Sequence, residues 1–278
     1  MLSTDRAVIA AARSALADLD YRAGPLAERL GTGTSLRIDR TNLAAVRLRL
    51  DEGQHLDALA SLFLLELDLE LSTARAALGS ALDTLTAAGL LVVDHNIVQS
   101  GATLVPHDDD LLVASDRHDR VGSADIVPGV QRPSDLLARL TIRKQVGSAL
   151  DLGTGCGIQA LLLARHCARV IATDISERAL VFARFNAALN GADNIEFRHG
   201  SYLDPVAGEL FDLVVSNPPY VISPESRFVF RDSGRRGDEL CKELIDALPP
   251  YLNDGGFATV LISWADQLGR SGGHGVGR

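Results

Sequence analysis

The fold is decided by the stretch Asp151-Leu152-Gly153-Thr154-Gly155-Cys156-Gly157. It leads from a predicted strand at 149–152 into a predicted helix at 158–166. Its three glycines let the backbone approach a ligand closely and adopt positive φ without a steric penalty. The free N–H groups of the following helix point at the same place. The stretch therefore predicts a ligand-binding loop at the carboxyl end of a strand.

Strands and helices alternate through the second half of the chain. The predicted strands are 149–152, 169–173, 194–198, 211–216 and 257–263, and the predicted helices are 158–166, 176–190 and 240–251. Strands separated by helices of this length require a parallel sheet with right-handed crossovers. The fold class is therefore α/β, with a Rossmann-like domain predicted at 146–278.

The second strand ends in Asp174, followed by Ile175. A carboxylate at this point can accept hydrogen bonds from both hydroxyls of a ribose. Dinucleotide-binding sheets have a similar loop and acid, but their fingerprint requires glycine three residues after Gly155, where this chain has Ile158. Gly157 instead matches the Gly-x-Gly-x-Gly loop of enzymes that use S-adenosylmethionine, which has no pyrophosphate to bind.

A diproline corner, Asn217-Pro218-Pro219-Tyr220, follows the apolar strand at 211–216. Two prolines cannot continue a sheet ladder and hold the backbone rigid. The corner would present the Asn217 amide, the Pro218 carbonyl and the Tyr220 ring around one point, which suits a planar NH2 group. An ordinary Asx turn is the alternative interpretation of Asn-Pro, and the upstream glycine loop favours the site.

Together, the glycine loop, Asp174 and the corner resemble the class I methyltransferases, and most closely the HemK-like enzymes that methylate a glutamine in translation release factors. The resemblance covers about residues 146–264 and implies S-adenosylmethionine as cofactor. It assigns the corner residues Asn217, Pro218, Pro219 and Tyr220 to catalysis. It assigns cofactor binding to Asp151, Gly153, Thr154, Gly155, Cys156, Gly157, Asp174, Ile175, Ser201, Tyr202 and Asn217.

The chain departs from the family pattern after its third strand and in the number of its strands. After the third strand, Ser201 and Tyr202 occupy the place where such enzymes usually have an acidic residue against the adenine amino group. The common methyltransferase sheet has seven strands, whereas five are predicted here, so the domain looks shortened at its C-terminal end. A truncated scaffold that binds the cofactor but catalyses nothing is therefore one alternative to the enzyme.

Two classes of methyl acceptor remain open. A protein glutamine side chain fits the HemK-like resemblance and the net charge of −9, and it is the favoured partner. The segment after the corner departs from that family and contains four arginines, Arg227, Arg231, Arg235 and Arg236, with aromatic residues between them. Such a loop could bind the phosphates and bases of RNA or DNA, although a solvated loop explains it equally well.

The first third of the chain is predicted to be a mostly helical, winged-helix-like domain at 1–105, followed by a connector at 106–145. Helices are predicted at 4–19, 42–50, 55–67, 73–78 and 80–88, and a hairpin at 90–98. A helix that reads DNA needs basic or amide side chains, but residues 80–88 contain no Lys or Arg. We therefore expect a packing or substrate-presenting module. The order of the two parts also resembles a group of actinobacterial methyltransferases, which suggests no particular substrate.

Composition excludes several other classes. No apolar stretch approaches the roughly 20 residues that span a bilayer, and the N-terminus lacks the pattern of a secretory signal. Three widely spaced cysteines (Cys156, Cys167 and Cys241) favour neither a disulfide framework nor a zinc site. The expected location is the cytoplasm, with no membrane partner and no metal.

Overall fold

A computed structural model describes residues 1–32, 36, 43–51, 53–107, 111–120, 123, 125–218 and 239–264. The fold is built from ten helices and ten strands in these ranges, with a helical front part followed by a parallel sheet. Among the described residues, no helix has the length and apolar character needed to cross a bilayer. The same ranges contain no group of three His, Cys, Asp or Glu side chains arranged to hold a metal ion.

Six helices make up most of the front part. They are α1 (Arg6–Asp18), α2 (Ala23–Leu30), α3 (Leu43–Arg47), α4 (His55–Phe63), α5 (Leu71–Leu78) and α6 (Ala81–Ala87). The first helix begins two residues later than predicted, because Asp5 is its cap and the Asp5 carboxylate accepts hydrogen bonds from the backbone N–H groups of Ala7 and Val8. Gly79 ends α5 as predicted.

The predicted hairpin is confirmed as β2 (Leu91–Asp94) and β3 (Ile97–Ser100). A short strand that the sequence did not indicate, β1 (Leu69–Glu70), pairs with β3 and gives a three-stranded sheet in the order β1-β3-β2. His95 adopts a φ of 51° in the two-residue turn between β2 and β3. The sequence order of helix, helix and hairpin is that of a winged helix.

A second hairpin lies across the predicted boundary between the front domain and the connector. It consists of β4 (Thr103–His107) and β5 (Leu111–Ser115), which pair antiparallel with Leu104 opposite Ala114. This hairpin is missing from the sequence-based prediction. It packs against the second half of the chain, and the domain limits given above stay a prediction.

The predicted α/β sheet is confirmed. Its strands are β6 (Val146–Leu152), β7 (Cys167–Asp174), β8 (Ile195–His199), β9 (Phe211–Ser216) and β10 (Leu252–Val260), and its helices are α7 (Arg132–Leu140), α8 (Ile158–Ala164), α9 (Glu177–Asn190) and α10 (Glu239–Ala247). All four strand pairs are parallel, in the order β10-β9-β6-β7-β8. The crossovers place β6, which leads into the glycine loop, at the centre of the sheet.

The boundaries differ most near the end of the described chain. The helix predicted to reach residue 251 ends at Ala247, because Pro249 and Pro250 cannot continue it and a 3₁₀ turn follows. The last strand begins at Leu252, five residues earlier than predicted, and its register shifts between Leu252 and Phe257.

Apolar side chains form one large core and two smaller ones. The large core joins residues of α1, α4 and α6 to residues of β5, α8 and α9, so the front part and the sheet domain share buried contacts. The smaller cores lie on the two faces of the parallel sheet. The loop after β6 is thus supported from the front part as well as from its own sheet.

Candidate active site

The glycine loop, the second strand end and the first two corner residues, Asn217 and Pro218, meet at one edge of the sheet. In the strand register, Leu152 of β6 lies opposite Thr173 of β7 on one side and Ser216 of β9 on the other. The Ser216 hydroxyl donates a hydrogen bond of 2.8 Å to the Leu152 carbonyl, which joins the ends of β9 and β6. The residues that follow these strands are therefore neighbours. In an open parallel sheet, this carboxyl edge is where ligands bind.

The three loop glycines all have positive φ but serve two purposes. Gly153 and Gly155 have φ values of 75° and 56°, and a Cβ added at either position would meet nothing within 4 Å. Gly157 has a φ of 89°, and a Cβ there would lie 3.1 Å from Ala183 of α9. The first two glycines therefore leave open space for a ligand, while the third allows the loop to pack against α9.

Asp174 holds the loop from the end of β7. Its carboxylate accepts hydrogen bonds from the backbone N–H groups of Gly155 and Ser176, both at 2.9 Å. Burial raises the pKa of Asp174, and the hydrogen bonds from Ser176 and Gly155 partly offset that rise. Each oxygen keeps acceptor capacity beyond these single bonds, so the carboxylate can still receive the hydroxyls of a ribose.

Asp151 and Thr154 lie beneath the loop. The Thr154 hydroxyl donates to Asp151 Oδ2 at 2.6 Å, and the Ala160 backbone N–H donates to the same oxygen at 2.9 Å. Burial raises the pKa of Asp151 to about 7 against the lowering effect of these two bonds, and the Asp174 charge adds to the rise. Both side chains are buried. Asp151 therefore ties the start of α8 to the loop.

Cys156 contributes its backbone rather than its thiol. Burial raises the pKa of this thiol to about 11, so it stays protonated and unreactive. Its carbonyl oxygen accepts a hydrogen bond of 2.8 Å from Nδ2 of Asn186 on α9. The sequence-based prediction missed Asn186. The available signal was a pair of asparagines, Asn186 and Asn190, one turn apart in a helix whose neighbouring residues are apolar.

Asn217 and Pro218 stand at the end of β9, beside the loop. Asn217 Oδ1 is buried and has no hydrogen-bond partner among the described residues. Pro218 is buried as well. A buried carbonyl oxygen without a donor is costly, and among the described residues Asn217 Oδ1 is an acceptor with no donor.

The third strand end places the remaining predicted cofactor residues near Asp174. The Gly200 backbone N–H donates to the Asp174 carbonyl at 3.0 Å, which brings the segment after β8 against the end of β7. Ser201 is exposed, and Tyr202 is half-buried with a φ of 54°. Ile175 is 55% exposed, unusual for a large apolar side chain. An exposed isoleucine directly after Asp174 presents an apolar surface at this edge of the sheet.

Some predicted site residues lie outside the described residues. These are Pro219 and Tyr220 of the corner and the arginines Arg227, Arg231, Arg235 and Arg236. Their roles stay predictions.

Comparison with known proteins agrees with this arrangement. Residues 128–264 match the methyltransferase small domain family, and residues 18–101 match a domain of unknown function (DUF7059). A Methanocaldococcus jannaschii protein whose name assigns it to the protein N5-glutamine methyltransferases is 31% identical over 147 residues, which cover 49% of this chain and 73% of that relative. The chain belongs to the HemK-like methyltransferase family. S-adenosylmethionine is the methyl donor of this family, as the glycine loop and Asp174 predict.

Other relatives match a smaller share of their length. The release factor glutamine methyltransferase of Xylella fastidiosa is 37% identical over 126 residues, 41% of this chain and 46% of the relative. The chain therefore spans about half the length of this curated relative. Among solved structures, the ribosomal protein L11 methylase of Lactobacillus delbrueckii subsp. bulgaricus is 27% identical, with a TM-score of 0.35 and coverage of 46% of this chain and 59% of that one.

Proposed function

We propose that this methyltransferase transfers a methyl group from S-adenosylmethionine to the side-chain amide nitrogen of a glutamine in a protein. The observation that carries the proposal is the buried Oδ1 of Asn217 beside the glycine loop, which has no hydrogen-bond donor in the part of the chain that the structure describes. A primary amide has two N–H donors. One would donate to Asn217 Oδ1 and the other to the Pro218 carbonyl.

The residues that would hold the cofactor fit its chemistry. Gly153 and Gly155 leave space above the loop, Asp174 retains acceptor capacity for the ribose hydroxyls, and Ile175 offers an apolar surface for the adenine. Ser201 and Tyr202 follow β8 on the same side of the sheet and complete the predicted adenine pocket. When bound, S-adenosylmethionine supplies a methyl group made electrophilic by a sulfonium sulfur.

The corner addresses the weak nucleophilicity of an amide nitrogen, whose lone pair is delocalised into the carbonyl. Two acceptors that fix both N–H groups restrict the nitrogen to one orientation, with its lone pair towards the methyl donor. The proton can leave after the new C–N bond has formed, so no strong base is needed before attack. Positioning of the amide and electrostatic stabilisation therefore account for most of the rate enhancement.

The glutamine substrate is supported by the relatives. Their names describe methylation of a glutamine in a release factor or in a protein. An acidic chain with a net charge of −9 also repels phosphate backbones at long range. A nucleic-acid acceptor would depend on the arginine segment at 227–236, and no described contact favours it. A cytoplasmic location, inferred from cysteine usage, belongs to the same proposal.

The test uses tritiated S-adenosylmethionine with a purified peptide-chain release factor as methyl acceptor. We expect protein-bound label that survives nuclease, is lost on protease digestion and maps to a glutamine. Asn217→Ala should lose the label while still binding S-adenosylhomocysteine. Label that appears only on added RNA or DNA would refute the glutamine assignment. Failure to bind the cofactor product at all would refute the cofactor site.

A further inference from the structure

The glycine loop is held from outside its own sheet by one side chain. Asn186 of α9 is fully buried and uses its whole amide. Its Oδ1 accepts from the backbone N–H of Ala114 at 2.8 Å, and its Nδ2 donates to the carbonyls of Ala114 and Cys156, both at 2.8 Å. One amide thus connects β5 to the middle of the loop.

Asn190, one turn further along α9, forms the same pair of amide hydrogen bonds with the backbone of β5, but it makes no hydrogen bond to the glycine loop. Its Oδ1 accepts from the Leu112 N–H at 2.9 Å and its Nδ2 donates to the Leu112 carbonyl at 2.8 Å. Its second N–H donates to the Asn186 carbonyl within the helix. Alternate residues of a strand expose their backbone groups on the same edge. The two asparagines therefore take the place of a neighbouring strand along β5.

The bond to Cys156 matters because the loop has little rigidity of its own. Glycine loses more conformational freedom on ordering than any other residue, and three glycines lie within five residues. The Cys156–Gly157 peptide is fixed at both ends, since Asn186 holds its carbonyl and the Thr154 carbonyl receives the Gly157 N–H at 2.9 Å. Fixing this peptide in advance lowers the entropy cost of binding a ligand on the loop.

The connection continues into the front part. Ala114 lies opposite Leu104 in the β4–β5 hairpin, and the Leu104 carbonyl accepts a hydrogen bond of 2.7 Å from the hydroxyl of Tyr21. Tyr21 belongs to the region that matches DUF7059, whereas the hairpin lies between the two matched regions. The hairpin is therefore a hydrogen-bonded link between the front part and the glycine loop, in addition to the apolar core that the two share.

We propose that Asn186 is a positioning residue for the cofactor loop, through which the β4–β5 hairpin holds the Cys156–Gly157 peptide in its cofactor-binding conformation. The inference rests on the proposed function in one respect, namely that the loop binds S-adenosylmethionine. It assigns the hairpin, which lies outside the methyltransferase family match, a role in cofactor affinity.

The test compares Asn186→Ala with its matched control, Asn190→Ala. Each variant removes the side-chain hydrogen bonds to one residue of β5, and each should lower the melting temperature. The decrease should be larger for Asn186→Ala, because Asn186 is fully buried. Only Asn186→Ala also frees the Cys156 carbonyl. Losing one neutral hydrogen bond that orders the loop should raise the Kd for S-adenosylhomocysteine about fivefold. We expect the control to stay within about twofold of wild type by the same reasoning. The measurement is isothermal titration calorimetry well below both melting temperatures.

Equal Kd values for the two folded variants would overturn the inference. If Asn186→Ala does not fold, hydrogen exchange on the wild-type protein decides instead. Saturating S-adenosylhomocysteine should slow exchange of the Ala114 N–H more than that of the Leu112 N–H, and equal slowing would overturn the inference. A wild-type protein that binds no S-adenosylhomocysteine would refute the proposed function itself, so the two failures are distinguishable.

Discussion

The buried carboxyl group of Asp151 should make the protein less stable as the pH rises from about 4 to about 7. Its side chain is 1% exposed, and burial raises its pKa from 3.8 to about 7. Between these two values the folded state binds a proton that the unfolded state has released, so the free energy of unfolding falls with increasing pH. Once both states are ionised, a difference of this size amounts to about 4 kcal/mol.

Asp151→Asn removes the ionisation and keeps the shape. The asparagine Oδ1, placed where Asp151 Oδ2 now lies, can accept from both the Ala160 N–H and the Thr154 hydroxyl, so both present contacts are kept. We expect the variant and wild type to have similar unfolding free energies near pH 4. Above pH 7 the variant should be the more stable protein, by up to about 4 kcal/mol.

Urea unfolding of both proteins between pH 4 and pH 8.5, without cofactor, measures this difference. Asp254→Asn removes an exposed carboxylate and serves as the control; its curve should follow that of wild type. Parallel curves for Asp151→Asn and wild type would refute the reasoning. So would a wild-type protein that gains stability over the variant as the pH rises.

Three further predictions test the site and its supports. Asn217→Ala should abolish methyl transfer and leave the Kd for S-adenosylmethionine within severalfold of wild type, as measured by calorimetry; full activity would contradict the role of the corner. Gly157→Ala and Gly155→Ala each place a side chain at positive φ, which should lower the free energy of unfolding by about 1–2 kcal/mol. Gly157→Ala should lose more in urea unfolding, because only its methyl group also meets Ala183 of α9. Equal losses for the two variants would contradict this packing role. Tyr21→Phe should lose about 1–2 kcal/mol because the Leu104 carbonyl would lack its donor; an unchanged unfolding curve would contradict that bond.

The parallel sheet was predictable because each of its signals is local. Glycine, proline and asparagine act through the local backbone conformation, so the residues at 151–157 and 217–220 predict the end of a strand from their own sequence. Alternating apolar strands and helices then leave a single arrangement, a parallel sheet. The loop, Asp174 and Asn217 do lie at one edge, because the carboxyl ends of parallel strands share that edge.

The supports behind the site were less visible. Asn186 has only a weak local signature, the pair it makes with Asn190 in an otherwise apolar stretch of helix, because asparagine is mostly exposed in folded proteins. Its importance comes from Ala114 and Cys156, which are both distant from it in sequence. The β4–β5 hairpin was missed for a related reason, since its two short strands are stabilised by contacts with α9 rather than by a strong turn signal of their own.

The order of residues thus determined the glycine loop, the acidic end of the second strand and the start of the diproline corner, each set by a few adjacent residues. The tertiary structure decided how these groups are held. It buried Asp151 under the loop, left Asn217 Oδ1 without a donor among the described residues, and connected Tyr21, the hairpin and Asn186 to the Cys156 carbonyl. Burial and hydrogen-bond pairing depend on residues that are remote in sequence, so only the packed chain could fix them.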